Sequence, residues 1–157
     1  MIQKFNNFLN EQEYDKLSDI LKNKIKWCYE GVTSIDNDDK IWYADLLQES
    51  YVTNTLFEKL KNLLNKDLSL IRVYANGQTF GLDGHWHQDS LPNHNEYTFL
   101  YYYTNHDDPS IIGETYFKRD NNYSCELPIP NSAVLFNGDV WHKGMGPKKE
   151  FKGLRIT

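Results

Sequence analysis

From Leu68 onward, β-branched and aromatic residues recur in short runs bounded by turn residues, at 68–75, 84–89, 97–104, 113–118, 132–136, 139–143 and 153–157. Seven short strands at this spacing predict a sandwich or barrel. The pattern before them is helical. Asn10 and Glu13 make a capping-box pair, and Tyr14, Leu17, Ile20, Leu21 and Ile25 then recur at helical spacing, which predicts a helix over 11–25. Thr55 and Glu58 repeat the signature ahead of Leu56, Leu60, Leu63 and Leu64, predicting a second helix over 55–65. The fold class is therefore α+β, with helices in the first part (about 1–66) covering one face of a sheet and a β core over about 67–157. With 157 residues, 39% hydrophobic and 15% aromatic, the chain is long enough to bury one core, and no repeat or Gly/Ser/Pro-rich linker divides it. A single domain over 1–157 is expected.

Charge and cysteine usage narrow the partners. A net charge of -5 offers no general attraction to nucleic acid or to an anionic membrane. No stretch approaches the roughly 20 apolar residues of a membrane span, and Met1-Ile2-Gln3-Lys4-Phe5-Asn6-Asn7 lacks the apolar centre of a signal peptide. A cytoplasmic protein without a membrane partner is expected. Cys28 and Cys125, the two cysteines, are too few and too far apart for a disulfide framework or a zinc cluster. Lysines outnumber arginines 14 to 3, a bias that fits an AT-rich genome such as that of a virus or some bacteria; for a virus the expected compartment is the host cytoplasm.

The chemistry concentrates in Gly84-His85-Trp86-His87-Gln88-Asp89 and in Val134 to His142. Alternate residues of a strand point to one side, so His87 and Asp89 present an imidazole and a carboxylate to one point. His142 as a third ligand completes a 2-His-1-carboxylate facial triad, the ligand set of non-heme Fe(II) oxygenases, with open positions for cosubstrate and O₂. His85 shares the strand face of His87 and stands as an alternative ligand; His87 is preferred because it alone makes an HxD pair with Asp89. His94 and His106 lie among polar loop residues and are read as solvent-exposed. The three-glycine stretch 76–84 is expected to be a loop leading into the metal strand.

Several segments together resemble the 2-oxoglutarate and Fe(II)-dependent dioxygenases, in particular their compact prolyl-4-hydroxylase-like branch. Asn7-Phe8-Leu9 before an acidic helix resembles that family's opening, Leu70-Ile71-Arg72-Val73-Tyr74 the strand before the metal, and His87-Gln88-Asp89 its HxD. Tyr101-Tyr102-Tyr103-Thr104-Asn105 resembles a strand ending in Tyr-Leu-Asn. Ile112-Gly113-Glu114-Thr115-Tyr116-Phe117 resembles the Gly-Gly-Glu-Leu turn and strand, with Ile112 replacing the first glycine. Pro130 through Phe136 and then His142 resembles the run before the distal histidine, departing from it at Asn131-Ser132. The motifs are short, and their order along nearly the whole chain gives the resemblance its weight.

The resemblance implies a double-stranded β-helix (jelly-roll, cupin-like) core, with Fe(II) on His87, Asp89 and His142 and 2-oxoglutarate as cosubstrate. Arg155 would bind the distal carboxylate of 2-oxoglutarate, a role for which a guanidinium's planar fork is suited. Tyr103, and with it Tyr74 and Tyr101, would donate hydroxyl hydrogen bonds to the cosubstrate, and Thr157, on the strand face of Arg155, would assist. The implied reaction is oxidative decarboxylation of 2-oxoglutarate by O₂ to succinate and CO₂, coupled to hydroxylation of a substrate C–H bond, with ascorbate in support. The leading substrate is a peptidyl (prolyl-type) or free amino-acid side chain; a modified nucleobase, a small metabolite, or a metal-binding module without turnover are the alternatives. A monomer or weak dimer is expected.

Overall fold

The computed structural model describes residues 2–34 and 37–157, the side chains of 31–39 excepted. Ten strands are named here in chain order: β1 (Gln3–Phe5), β2 (Cys28–Ser34), β3 (Asn37–Asp45), β4 (Tyr74–Gln78), β5 (Tyr97–Tyr102), β6 (Thr115–Arg119), β7 (Asn122–Glu126), β8 (Ser132–Asn137), β9 (Trp141–Gly144) and β10 (Arg155–Ile156). All pair antiparallel, in the orders β1-β8-β5, β10-β4-β3-β2 and β7-β6-β9. A bond from Tyr103 N to the Ile156 carbonyl joins the first two groups edge to edge into one large layer. The third group is the opposing layer. Its free edge takes in the His87 segment through a bridge in which His87 and His142 exchange both backbone hydrogen bonds.

Helix α1 (Glu11–Asp19) starts on the expected capping box: the Asn10 side chain accepts from Glu13 N, and Glu13 returns to Asn10 N. It ends earlier than 25, because residues 20–24 widen into a π turn. Helix α2 (Phe57–Leu64) follows a π turn over Tyr51–Leu56, so Thr55 lies inside a helical segment and does not cap it. Leu17, Ile20 and Leu21 from the first helical segment and Tyr51 and Val52 from the second bury against Phe8, Leu9, Ala75 and Tyr103. The helices thus cover one face of the large layer, and fixing that face outward leaves the other to line the interior between the layers.

Four strand expectations are corrected, the first at 84–89, where no strand forms and the single His87–His142 bridge holds the segment. The first 66 residues contribute β1, β2 and β3 besides the helices. Residues 68–73 have β-type composition yet make no ladder, and the strand runs instead over Tyr74–Gln78, through residues read as loop. Gly77 explains the shift: a Cβ there would lie 2.8 Å from Leu154 Cδ2 and 2.9 Å from Trp42 Cβ, so the glycine permits close strand packing where it seemed to mark a turn. Finally β7, exposed and polar, extends the smaller layer beyond β6.

Candidate metal centre and anion pocket

The backbone bridge places the two histidines side by side, with ring centroids 4.2 Å apart. Asp89, two residues beyond His87, turns to the same point. Its Oδ2 lies 3.5 Å from His142 Nε2 and its Oδ1 3.9 Å from His87 Nε2. One ligand atom from each of the three falls within 4.8 Å of the others, and His85 is not part of this group. Each imidazole is oriented from behind: His87 Nδ1 is 2.8 Å from the His85 carbonyl and His142 Nδ1 is 2.9 Å from the Val140 carbonyl. A carbonyl can only accept, so Nδ1 carries the proton in both rings and the Nε2 lone pairs face Asp89. Burial pushes the His142 imidazole below its ordinary pKa, outweighing the opposing pull of Asp89, so it is held neutral and able to ligate. Phe136 and Phe117 wall in His142.

Asp89 is itself held. Thr98 Oγ1 donates to Oδ2, and Arg72 Nη2 donates to Oδ1 at 3.0 Å. Thr98 begins the inward-facing row of β5, followed by Leu100 and Tyr102. Leu100 and Tyr102 pack with Phe117, Val134 and Phe136 in the interior.

Deeper in the same interior lies Arg155, 2% exposed. Its Nη1 donates to Gln78 Oε1 at 2.7 Å, its Nη2 to Thr115 Oγ1 at 3.1 Å and its Nε to the Gly113 carbonyl at 3.1 Å. Register explains the pairing, since Arg155 stands opposite Gln78 on the neighbouring strand. Gln78 is fixed in turn, its amide donating to the carbonyls of Leu82 and Gly144. All three acceptors are neutral, and among the described residues no carboxylate pairs with this guanidinium. Burial accordingly pushes its pKa down to about 10. Gly144 leaves room beside it: a Cβ there would stand 3.3 Å from Nη1.

The expected tyrosines divide. Tyr74 lines the cavity that also contains the triad, and burial together with the Asp89 charge raises its pKa. Tyr103 turns to the helices, where its hydroxyl pairs with Ser18 Oγ at 2.6 Å and its ring stacks on Tyr14. Tyr101 shares that side and donates to Asn131 Oδ1. Strand alternation turns both hydroxyls toward the helices, although both residues, like Tyr74, line the cavity that contains the triad. Tyr102, between them, points inward; its hydroxyl is buried without a hydrogen-bond partner. Burial raises its pKa to about 12, against the opposing effects of Thr115 and of the Arg155 guanidinium. Thr157 pairs through its backbone with Asn76 and lines the cavity. Gln78, Thr115, Thr98 and Tyr102 are the polar interior residues missed from sequence; the signal available was their place in alternation with Asp89, Arg155 and their strand partners.

Comparison with protein-family models and with curated proteins finds no match in sequence. Solved structures do match. A Pseudomonas putida prolyl-4-hydroxylase is 15% identical, with a TM-score of 0.65 over 99% of this chain and 88% of its own. An oxidoreductase of the 2OG-Fe(II) oxygenase family from Burkholderia pseudomallei gives a TM-score of 0.70 at 8% identity, over 99% and 81%. A Trichoplax adhaerens prolyl hydroxylase, solved with a peptide fragment of the hypoxia inducible factor oxygen degradation domain, gives 0.63 at 18% identity, over 99% and 80%. With two antiparallel layers, helices on the outer face and structural neighbours of this kind along nearly its whole length, the chain has the α+β double-stranded β-helix fold of the 2-oxoglutarate and Fe(II)-dependent oxygenases.

Proposed function

We propose that residues 1–157 form one catalytic domain, a 2-oxoglutarate- and Fe(II)-dependent dioxygenase that hydroxylates a peptidyl or free amino-acid side chain. The observation that carries this reading is Arg155. Burying a guanidinium away from water is costly unless an anion pairs with it, and this one hydrogen-bonds only to neutral groups, the Glu114 carboxylate acting on it without an ion-pair contact. A ligand carboxylate supplies the missing charge. The residues suit the metal as well, because two Nε2 lone pairs and one carboxylate converge with their outer atoms already anchored.

His87, Asp89 and His142 would hold Fe(II), and Arg155 would take the distal carboxylate of 2-oxoglutarate, with the Tyr102 hydroxyl as a further donor beside it. Bound there with O₂, the metal and the 2-oxo acid supply oxidative decarboxylation to succinate and CO₂ coupled to C–H hydroxylation, with ascorbate as a supporting reductant. The protein's own part is positional. Gln78 and Thr115 fix the plane of the Arg155 fork, Thr98 and Arg72 fix the Asp89 carboxylate, and the backbone carbonyls of His85 and Val140 set both imidazole tautomers. Phe117 and Phe136 keep water from the side of His142. A peptidyl substrate is supported by the Trichoplax neighbour, solved with a peptide. Among the described residues no helix is long and apolar enough to cross a membrane, which suits a cytoplasmic enzyme acting on a diffusible substrate.

Anaerobic addition of Fe(II) and then 2-oxoglutarate tests the reading. The expected result is a visible metal-to-ligand charge-transfer band, followed by succinate once O₂ is admitted, with the band lost in His87→Ala. Folded, iron-loaded protein that gives neither band nor succinate would sink the proposal.

A further inference from the structure

Arg72 and Arg155 are the two Lys or Arg side chains among the described residues that line the cavity of about 1030 Å³ containing the triad. They are built differently. Arg155 is fully buried and spends its fork on Gln78, Thr115 and Gly113, whereas the Arg72 side chain is 53% exposed. Arg72 reaches Asp89 through one nitrogen alone, Nη2, which donates to Oδ1 at 3.0 Å and to the Asp89 carbonyl at 3.3 Å. Its Nη1 and Nε have no hydrogen-bond partner among the described residues. A guanidinium serving only to position a carboxylate would be expected to meet it with two parallel N–H bonds. Here one nitrogen holds the ligand residue, and two nitrogens with three N–H donors are left over.

The surroundings are those of a recognition site. The Arg72 guanidinium lies 6.0 Å from the Tyr74 ring centroid, and Tyr74 packs on Tyr43 at 5.4 Å, both rings lining the cavity. Thr98 occupies the other Asp89 oxygen, so Asp89 keeps a second donor when an anion competes for Arg72.

We infer that Arg72 is a specificity-determining residue that takes the carboxylate of the substrate, so that the preferred substrate is a free amino acid or another small carboxylate oxidised at a carbon close to that group. This deepens the dioxygenase reading and rests on it for the oxidation step; the carboxylate recognition stands on Arg72 alone. An amino acid within a peptide chain has lost this carboxylate, so the inference selects between the two substrate forms proposed above.

The test crosses ligand charge with residue 72. Protein loaded with Zn(II) and saturated with 2-oxoglutarate is titrated with each free L-amino acid and with its carboxamide, by ligand-observed NMR, in the parent and in Arg72→Gln. At least one acid is expected to bind the parent roughly ten- to hundred-fold more tightly than its amide, the value of a charge-assisted hydrogen bond, and that preference is expected to vanish in Arg72→Gln. A substitution that only disturbs Asp89 shifts acid and amide together, so an acid preference that survives it would overturn the inference. Equal binding of acids and amides to the parent would overturn it too. The Fe(II) enzyme is then supplied with the best acid: an acid preference without succinate would refute the dioxygenase reading while leaving the carboxylate site in place.

Discussion

The two faces of β5 carry similar residues and do different work. On the outer face Phe99, Tyr101 and, just past the strand end, Tyr103 pack against Phe8 and Tyr14, and both tyrosine hydroxyls have partners, Asn131 and Ser18. On the inner face Thr98 holds Asp89, and the buried Tyr102 hydroxyl has none. Hydrogen-bond accounting separates them: the outer hydroxyls are satisfied within the fold, and the inner one is not. The two arginines of the cavity extend the same lesson, one enclosed among neutral acceptors and one half-exposed with donors to spare.

The largest effect expected from breaking this contrast is at its charged end. Arg155→Gln should weaken 2-oxoglutarate binding by roughly a hundred-fold or more, since losing one partner of a buried ion pair costs about 2–5 kcal/mol; titration of the charge-transfer band measures it. Paired substitutions on β5 sharpen the contrast at intermediate size. Tyr102→Phe should raise the 2-oxoglutarate dissociation constant about five- to ten-fold without lowering thermal stability, because the hydroxyl it removes has no protein partner. Tyr103→Phe should do the reverse, costing about 1 kcal/mol in denaturant melts through the lost Ser18 bond while leaving 2-oxoglutarate affinity as it was. If both variants lowered stability alike and neither moved the dissociation constant, the division of the strand would fail.

Acid titration probes the triad. The folded His142 pKa is depressed, so below the ordinary histidine value of about 6.5 the unfolded chain binds more protons than the folded one. Metal-free protein should therefore hold its stability above that pH and lose it as pH falls further. Melts from pH 8 to pH 5 check this, and His142→Gln should flatten the slope; an unchanged slope would place the titration elsewhere. The smallest effect lies outside the site, at the helix cap, where Asn10→Ala should cost about 1 kcal/mol of stability and leave cosubstrate affinity alone.

Much of the site was legible because it obeys short periodicities. His87 and Asp89 are two apart on an extended segment, Arg155 alternates with apolar neighbours, and Asn10 with Glu13 spells a capping box that the structure contains. The direction of each tyrosine hydroxyl was not legible, because Tyr101, Tyr102 and Tyr103 are consecutive and only parity separates them. Parity is fixed by Thr98 reaching Asp89 and by the pairing of β5 with β8, facts of register absent from composition. Gln78 was hidden in a Gly- and Asn-rich stretch whose glycine serves close packing. The β2–β3 pair was missed because its strands are rich in polar residues, with an irregular register that blurs the period of two.

The claim that Arg155 is a receptor for a ligand's distal carboxylate is tested most directly by comparing 2-oxoglutarate with pyruvate, which keeps the 2-oxo acid end and lacks the second carboxylate. Anaerobic Fe(II) protein is titrated with each acid, in the parent and in Arg155→Gln, and the charge-transfer band gives the dissociation constants. The expected result is a preference for 2-oxoglutarate of roughly a hundred-fold in the parent that collapses in the variant; a preference that persists without the guanidinium would contradict the assignment and send the distal carboxylate to another cation.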